Sequence, residues 1–336
     1  MKSVVLRFIG LILSGIILLT VGVSRHAAYD VRDPDACLLN FSVLSDSHIE
    51  GNNLPRYKIF AGSLQDVKKN ASGNDAVIFL GDNTMNCQNI ENILFYGTAA
   101  NLLKGETILP VMGNHDIGNG EGDYDTLQNR WYDYTEAYFG RKLTHPYYYE
   151  VIDGYYFIVL GMEDQLVYEM MMTEEQFTWL ESVLVEASAS GKPVFVFSHY
   201  PADEVIDETG EYSDRLIDML ADYNRENDLF YFCGHTHMPM FLFWSFPTSE
   251  GFPEIYLPRL TDLGGENDHE ILNRSGDGVE VEIYGDQVLV RGRNFYSGEW
   301  KIDDEETGDL CEMTYTLKKP INSRLFVMER LFYRKS

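Results

Sequence analysis

The chain has 336 residues and is 45% hydrophobic, which is enough to bury one large core or two ordinary ones. Its formal net charge at pH 7 is −27. A phosphate backbone binds surfaces rich in Lys and Arg, so this charge excludes nucleic acid as a bulk electrostatic partner. A small phosphorylated substrate stays possible where something local is positive, and metal ions are the obvious source of that charge.

The N-terminal segment differs from the rest of the chain. Lys2 and Arg7 stand ahead of an uncharged apolar run from Phe8 to Val23, which is long for a signal-peptide core and short for a spanning helix. The charges around this run predict that the N-terminus lies inside and the bulk of the chain outside. We therefore expect residues 1–24 to be a signal peptide or a membrane anchor. The protein is then exported, and it is secreted or held at the membrane if the segment is not cleaved.

Short apolar runs of strand length recur after a polar linker at residues 25–35. They are rich in Val, Ile, Phe and Tyr and nearly continuous, as in strands buried on both faces. In chain order these runs are CLLNFSVLSD, DAVIFLGD, ETILPVMGNHD, GYYFIVLGM, PVFVFSHYP and LFYFCGHTHM. Helical stretches lie between them, and one of these has Thr173 as its expected N-cap. Alternating strands and helices predict an α/β layered fold.

The last part of the chain predicts antiparallel strands. GVEVEIYGDQVLVRGRNF is typical of a hairpin that turns at Gly285 and Asp286. Because no linker interrupts residues 36–320, we expect them to form one domain, followed by a C-terminal tail at residues 321–336. The four cysteines are far apart in the sequence, so one disulfide is possible but its pairing cannot be read from the sequence.

Metal-binding side chains follow five of the six predicted strands. In open α/β sheets, ligands bind beyond the carboxyl ends of the strands, so we expect these five ends to converge. Carboxylate, amide and imidazole groups in one place predict a metal site with mixed nitrogen and oxygen ligands. The residues at the strand ends are Asp46, His48, Asp82, Asn114, His115, Asp116, His199, His235 and His237.

The spacing of His235 and His237 favours two ions over one. In an extended chain, residues two positions apart point to the same side at about 6–7 Å. A single ion could take both imidazoles only if the backbone curls, whereas two ions about 3.5–4 Å apart could each take one. Seven candidate ligands are also too many for one ordinary site.

The ordered set DSH, GDN, GNHD, SH and GHTH resembles the calcineurin-like metallophosphoesterase superfamily. The resemblance covers residues 46–237, and further family-like strands extend to about residue 300. It implies a four-layer α/β/β/α sandwich with mixed sheets. It also implies two divalent or mixed-valence metal ions, and the residue types suit Mn, Fe or Zn better than Mg.

The resemblance further implies a role for each strand-end residue. Asp46, His48 and His237 would hold the first metal, and Asn114, His199 and His235 the second. Asp82 would bridge both ions, while His115 would face the leaving-group oxygen with Asp116 orienting it. A hydroxide that bridges the two metals would attack phosphorus. The sequence departs from many relatives at Met85, where they carry Asp, Asn or Tyr, which makes metal identity less certain.

Several alternatives stay open at this point. A phosphatase and a phosphodiesterase share the same metal centre, so the substrate is a small phosphate mono- or diester. A metal-binding recognition module of the same fold, without turnover, is the rival function. Tyr200 could line the substrate pocket. Arg291 and Arg293 could touch a phosphate, but alternate positions on a late strand are as easily solvated.

Overall fold

The computed structural model describes residues 2–21, 26–238, 251–261, 275–303 and 310–321. These residues form six α-helices: α1 (Lys2–Val21), α2 (Leu54–Val67), α3 (Asn89–Leu102), α4 (Tyr124–Phe139), α5 (Glu174–Ser188) and α6 (Arg215–Glu226). Their strands are β1 (Leu39–Leu44), β2 (Ala76–Phe79), β3 (Ile108–Pro110), β4 (Tyr148–Ile152), β5 (Tyr155–Val159), β6 (Met170–Met171), β7 (Val194–Phe197), β8 (Val205–Ile206), β9 (Leu229–Cys233), β10 (Glu254–Tyr256), β11 (Asp277–Ile283), β12 (Gln287–Asn294), β13 (Glu299–Trp300) and β14 (Glu312–Thr316).

Two large mixed sheets organise the fold. The first has the order β13-β12-β11-β1-β2-β3, with β14 also paired to β12, and the second has the order β10-β9-β7-β5-β4. Neighbours are parallel from β1 to β3 and from β5 through β7 and β9 to β10. The hairpin predicted at Gly285 and Asp286 is confirmed, because β11 and β12 pair antiparallel on either side of it.

The inner faces of the two sheets pack against each other through aromatic rings. Phe41 of β1 in the first sheet contacts Phe157, Phe195, Phe197 and Phe232 of the second sheet, with centroids 5.0–6.1 Å apart in edge-on geometry. All five rings are fully buried. Ring pairs of this kind add to the stabilisation from buried area, so the centre of the domain lies between the sheets.

Helices cover the outer face of each sheet. Phe79, whose side chain alternates with the inward ones of β2, contacts Phe60 of α2 and Phe95 of α3. On the second sheet, α5 and α6 pack through buried side chains such as Leu180 and Leu220. The predicted four-layer α/β/β/α sandwich with mixed sheets is therefore confirmed. The Thr173 cap is confirmed too, since its hydroxyl accepts a hydrogen bond from the backbone N–H of Gln176 at 3.3 Å.

The N-terminal helix α1 packs against α3 and α4. Asn101 of α3 donates hydrogen bonds to the Leu11 carbonyl at 3.0 Å and to the Ser14 hydroxyl at 2.6 Å. Among the described residues, no helix combines the length and the apolar character that crossing a membrane requires. Export, and the division into residues 1–24, 25–35, 36–320 and 321–336, stay predictions. Most of the predicted tail, residues 322–336, lies outside the described part of the chain.

The four cysteines form no disulfide. Cys37, Cys87, Cys233 and Cys311 are all buried, and none of them belongs to a disulfide. The bridge that the sequence left possible is thus absent from the fold. Burial raises the pKa of the Cys87 thiol to about 11, so that side chain behaves as a small buried group.

Candidate metal centre

The carboxyl ends of strands in both sheets bring the predicted ligands into two adjoining groups. The first half-site comprises Asp46, His48, Asp82 and His237, and the second comprises Asp82, His199 and His235. Within each group, one nitrogen or oxygen atom per residue lies within 4.8 Å of the others. Asn114 joins the second half-site, because its Oδ1 lies 3.2 Å from Nε2 of His199. All seven predicted ligands therefore meet at one place.

Asp82 connects the two half-sites through its two carboxylate oxygens. Its Oδ2 lies 3.2 Å from Nε2 of His48, and its Oδ1 lies 3.3 Å from Nε2 of His199. On the far side of the first half-site, Nε2 of His237 is 3.0 Å from Oδ1 of Asp46. Two ligands held at about 2.1 Å from one ion at ordinary coordination angles are about 3.0–3.4 Å apart. The observed spacings suit a carboxylate that bridges two ions.

The backbone at the candidate ligands is strained. Among the described residues, eight non-glycine residues have a positive φ, and five of them are candidate ligands. A left-handed conformation costs a non-glycine residue about 1–3 kcal/mol and persists only where the surrounding structure enforces it. The five angles are 54° at Asp46, 41° at His48, 49° at Asp82, 63° at His235 and 52° at His237.

The backbone curls at His235 and His237, and this curl directs the two imidazoles to different half-sites. In an extended chain both imidazoles would point to one side. Because both residues are left-handed here, the chain turns, and His237 reaches the first half-site while His235 reaches the second. Thr236 lies between them, and its backbone N–H donates to the Gly234 carbonyl at 2.6 Å, which closes a tight turn.

Two glycines leave room for the carboxylates of Asp82 and Asp46. A Cβ at Gly113 would lie 2.3 Å from Oδ1 of Asp82, and a Cβ at Gly234 would lie 2.6 Å from Oδ2 of Asp46. These distances are far inside van der Waals contact. The glycines that precede Asn114 and His235 thus allow the ligand-bearing loops to approach each other.

Charge in the metal-free protein is balanced within the ligand set itself. Burial opposes ionisation of Asp82, but the neighbouring His199 and His48 outweigh it and hold the pKa of Asp82 well below its usual value. For His199 the balance is reversed: burial favours the neutral ring, yet Asp82 and Asp46 raise its pKa above the usual value. Burial and the charge of His199 lower the pKa of His235 to about 4. A proton on His199 therefore stands where a cation would neutralise the carboxylates.

The donor set fits two divalent ions. All of its donor atoms are imidazole nitrogens or oxygens of carboxylates and one amide, the ligands preferred by Mn, Fe and Zn. Asp46, His48, Asp82, Asn114 and His199 are buried, so they are shielded from competing water. His48 also has a buried Nδ1 with no hydrogen-bond partner in the described part of the chain. Side chains packed this tightly around unneutralised carboxylates are suited to hold cations.

His115 lies beside the first half-site and is oriented by a backbone group. Its ring centroid is 4.7 Å from that of His48. Its Nδ1 is 2.7 Å from the carbonyl oxygen of Met85, and because a carbonyl only accepts, Nδ1 carries the proton. This contact leaves Nε2 for other interactions. The sequence departure at Met85 therefore concerns a residue that acts on His115 through its main chain.

Asp116 has a different place from the one we expected. Its buried carboxylate accepts hydrogen bonds from the backbone N–H groups of Asn83, Thr84 and Gly113 and from two side chains. In the described residues no hydrogen bond joins it to the His115 ring. The expected orienting contact is replaced by that of Met85, because Asp116 instead ties the loop after β2 to the loop after β3. Burial, followed by the charge of Asp82, raises the pKa of Asp116 to about 7.

Two residues beside His235 complete the second half-site. The Tyr200 ring is fully buried and packs on the imidazole with centroids 4.3 Å apart, so Tyr200 supports a ligand from behind. Glu204 was not identified from the sequence. Its Oε2 is buried, lies 3.9 Å from Nε2 of His235, and has no hydrogen-bond partner among the described residues. Only its position three residues after Pro201 could have identified it from the sequence.

Arg291 and Arg293 lie away from the metal centre. They belong to a buried group on the outer face of the first sheet, where Arg291 pairs with Glu282 and Arg293 pairs with Asp66 at 2.7 Å. Both guanidinium groups also stack on Trp300. The possibility that they touch a phosphate is therefore wrong, because their charges are already neutralised inside the fold.

Comparisons with known proteins agree with this geometry. Residues 39–239 match the sequence profile of the calcineurin-like phosphoesterases. A dimetal phosphatase from Danio rerio is 14% identical, with a TM-score of 0.54 over 83% of this chain and 99% of that one. The purple acid phosphatase PPD1 of yellow lupin (Lupinus luteus) is 13% identical, with a TM-score of 0.54 over 88% of this chain and 56% of the lupin chain. No curated protein sequence matches the chain.

The two solved structures are too distant in sequence to show more than a shared fold. The family profile covers more than half of the chain and ends two residues beyond His237. The strand ends that gather at the metal centre all fall inside the matched region. This chain belongs to the calcineurin-like phosphoesterase family.

Proposed function

We propose that the protein hydrolyses a small phosphate mono- or diester with the help of two metal ions, of Mn, Fe or Zn. The observation that carries this proposal is the bridging position of Asp82, whose two oxygens face imidazoles of different half-sites. Two ions held there would lower the pKa of a water between them and polarise the phosphoryl oxygens. They would also give a local positive charge to a protein whose net charge is −27.

His115 is the residue we propose for the leaving group. In hydrolysis a water oxygen bonds to phosphorus, the bond from phosphorus to the leaving oxygen breaks, and that oxygen takes up a proton. With Nδ1 bonded to the Met85 carbonyl, the protonated ring can donate through Nε2. The same contact fixes the ring plane, so donation needs no rearrangement of the side chain.

The test is turnover by the full chain loaded with Mn²⁺, using nitrophenyl phosphate and bis-nitrophenyl phosphate. We expect hydrolysis of at least one ester. We also expect His115→Ala to lower kcat by about 10²–10⁴-fold, the range for a general acid, while the metal content measured by mass spectrometry is unchanged. The matched control is His145→Ala, because His145 is an exposed histidine stacked on Tyr147 outside the site, and it should keep the wild-type rate.

Two outcomes would contradict the proposal. Two bound ions without turnover of either ester would favour the alternative, a metal-binding recognition module of the same fold. Equal rates for the wild type and His115→Ala would remove His115 from the reaction while leaving the metal centre in place.

A further inference from the structure

Arg259 is a cation next to the loop that carries Asp46, and the seven ligands do not explain it. It lies on the segment after β10, which is fixed by three hydrogen bonds to the loops that carry the ligands. The Leu257 N–H donates to the Cys233 carbonyl at 2.7 Å, and the Leu260 N–H donates to the Ser45 carbonyl at 2.9 Å. The Thr261 hydroxyl donates to the Ser47 carbonyl at 2.7 Å. Arg259 is thus held next to the loop of Asp46.

The Nε atom of Arg259 is buried and has no hydrogen-bond partner in the described part of the chain. Among the described residues, Arg259 forms no ion pair with a carboxylate. This is unusual in so acidic a protein, because seven other arginines pair with an acid: Arg32, Arg56, Arg141, Arg215, Arg225, Arg291 and Arg293. A buried donor left unpaired is costly, and a bound anion would remove that cost.

The first half-site, which includes the Asp46 loop next to Arg259, is the more open of the two. The His237 side chain is 37% exposed, whereas the His235 side chain is only 18% exposed. A substrate can therefore reach Arg259 and the first half-site together.

We propose that Arg259 binds a non-bridging oxygen of the substrate phosphoryl group and thereby selects terminal phosphates, that is, phosphomonoesters. This inference rests on the proposed function. Two ions would polarise phosphoryl oxygens, and a diester has only two non-bridging oxygens. A monoester has a third, and above its second pKa of about 6 it also carries a second negative charge. A planar guanidinium suits that oxygen and that charge.

The experiment compares Arg259→Gln and Arg259→Lys with the wild type in the full, Mn²⁺-loaded chain. Calorimetry gives the Kd for orthophosphate, and kinetics give kcat/KM for nitrophenyl phosphate and bis-nitrophenyl phosphate. We expect Arg259→Gln to weaken orthophosphate binding and the monoester kcat/KM by about 10- to 100-fold each, the range for a charged hydrogen bond. The diester kcat/KM should change less than about threefold, and Arg259→Lys should be intermediate.

The matched control is Arg225→Gln, which removes the same charge from an exposed ion pair with Asp222 and should change none of these values. An unchanged Kd for orthophosphate in Arg259→Gln, or equal losses for monoester and diester, would overturn the proposal. Loss of metal from Arg259→Gln would also overturn it, because Arg259 would then support the ligands. If neither ester is hydrolysed, the proposed function fails, yet the orthophosphate Kd still decides whether Arg259 binds phosphate.

Discussion

Two buried polar clusters in this protein contain similar residues and are satisfied in opposite ways. In the outer-face cluster, Glu282 and Asp66 are paired with Arg291 and Arg293. At the metal centre, Asp46 and Asp82 are paired with imidazoles instead, and the backbone is left-handed at five ligands. None of the outer-face residues Ser42, Asp66, Glu280, Glu282, Arg291 and Arg293 has a positive φ.

The difference separates a structural cluster from a functional one. The outer-face cluster carries its own counter-ions, so it is complete as folded. The metal centre concentrates acids and strain around imidazoles that can themselves bind metal, and such a site is suited to completion by ions from outside. We make three predictions from this difference. Substitutions at the metal centre should change activity, whereas substitutions in the outer-face cluster should change stability.

The largest expected effect is on turnover at the metal centre. Asp82→Asn keeps the size of the side chain but removes the charge that bridges the half-sites. We expect the variant to lose at least one of its two ions and kcat/KM to fall by about 10³-fold or more, since metal catalysis contributes several kcal/mol. Mass spectrometry gives the metal content and ester hydrolysis gives the rate. If Asp82→Asn kept two ions and full activity, Asp82 would not be the bridging ligand.

The same substitution in the outer-face cluster should instead lower stability. Asp66→Asn leaves the buried guanidinium of Arg293 without its carboxylate. Breaking one side of a buried ion pair costs about 3–5 kcal/mol in the free energy of unfolding, which urea denaturation measures. Metal content and kcat of the folded variant should equal those of the wild type. A loss of metal in Asp66→Asn would show that the two clusters are coupled.

The smallest effect concerns pH. Burial raises the pKa of Glu280, in the outer-face cluster, to about 7. The folded state therefore holds a proton that the unfolded chain, with a pKa near 4.5, has already released. This contribution to stability is complete below about pH 4.5 and is lost as the pH rises to about 7, by up to about 3 kcal/mol.

Glu280→Gln should remove this dependence. The variant should thus gain stability relative to the wild type between pH 4.5 and 7 and stay level above, as measured by urea denaturation in EDTA. Glu226→Gln removes the same charge at an exposed position and serves as the control. A difference between Glu280→Gln and the wild type that is constant across this range would contradict the assigned pKa.

The sequence predicted the parts of the protein that depend on local pattern. Continuous apolar runs identified strands, Thr173 identified the start of a helix, and Gly285-Asp286 identified a hairpin. Each of these features depends on neighbours in the chain. The candidate ligands were found for the same reason, since each ends a strand. Their convergence followed from the rule that the carboxyl ends of parallel strands share one edge.

The features that the sequence did not predict depend on strand pairing across long distances. Arg259 has no motif around it, and it reaches the metal centre because β10 pairs with β9 and the following segment bonds to the loop of Asp46. The buried pair of Asp66 and Arg293 joins α2 to β12, so it requires the sheet order. The Met85 carbonyl orients His115 through a main-chain atom, which no residue type reveals.

The left-handed backbone at the five ligands has a consequence for the life of the protein in a cell. A chain synthesised when metal is scarce folds with that strain and without the ions that offset it. Ions that bind the folded chain and not the unfolded one would lower the fraction of molecules open to proteases. Metal supply would therefore set how much of the protein accumulates as well as how much of it is loaded.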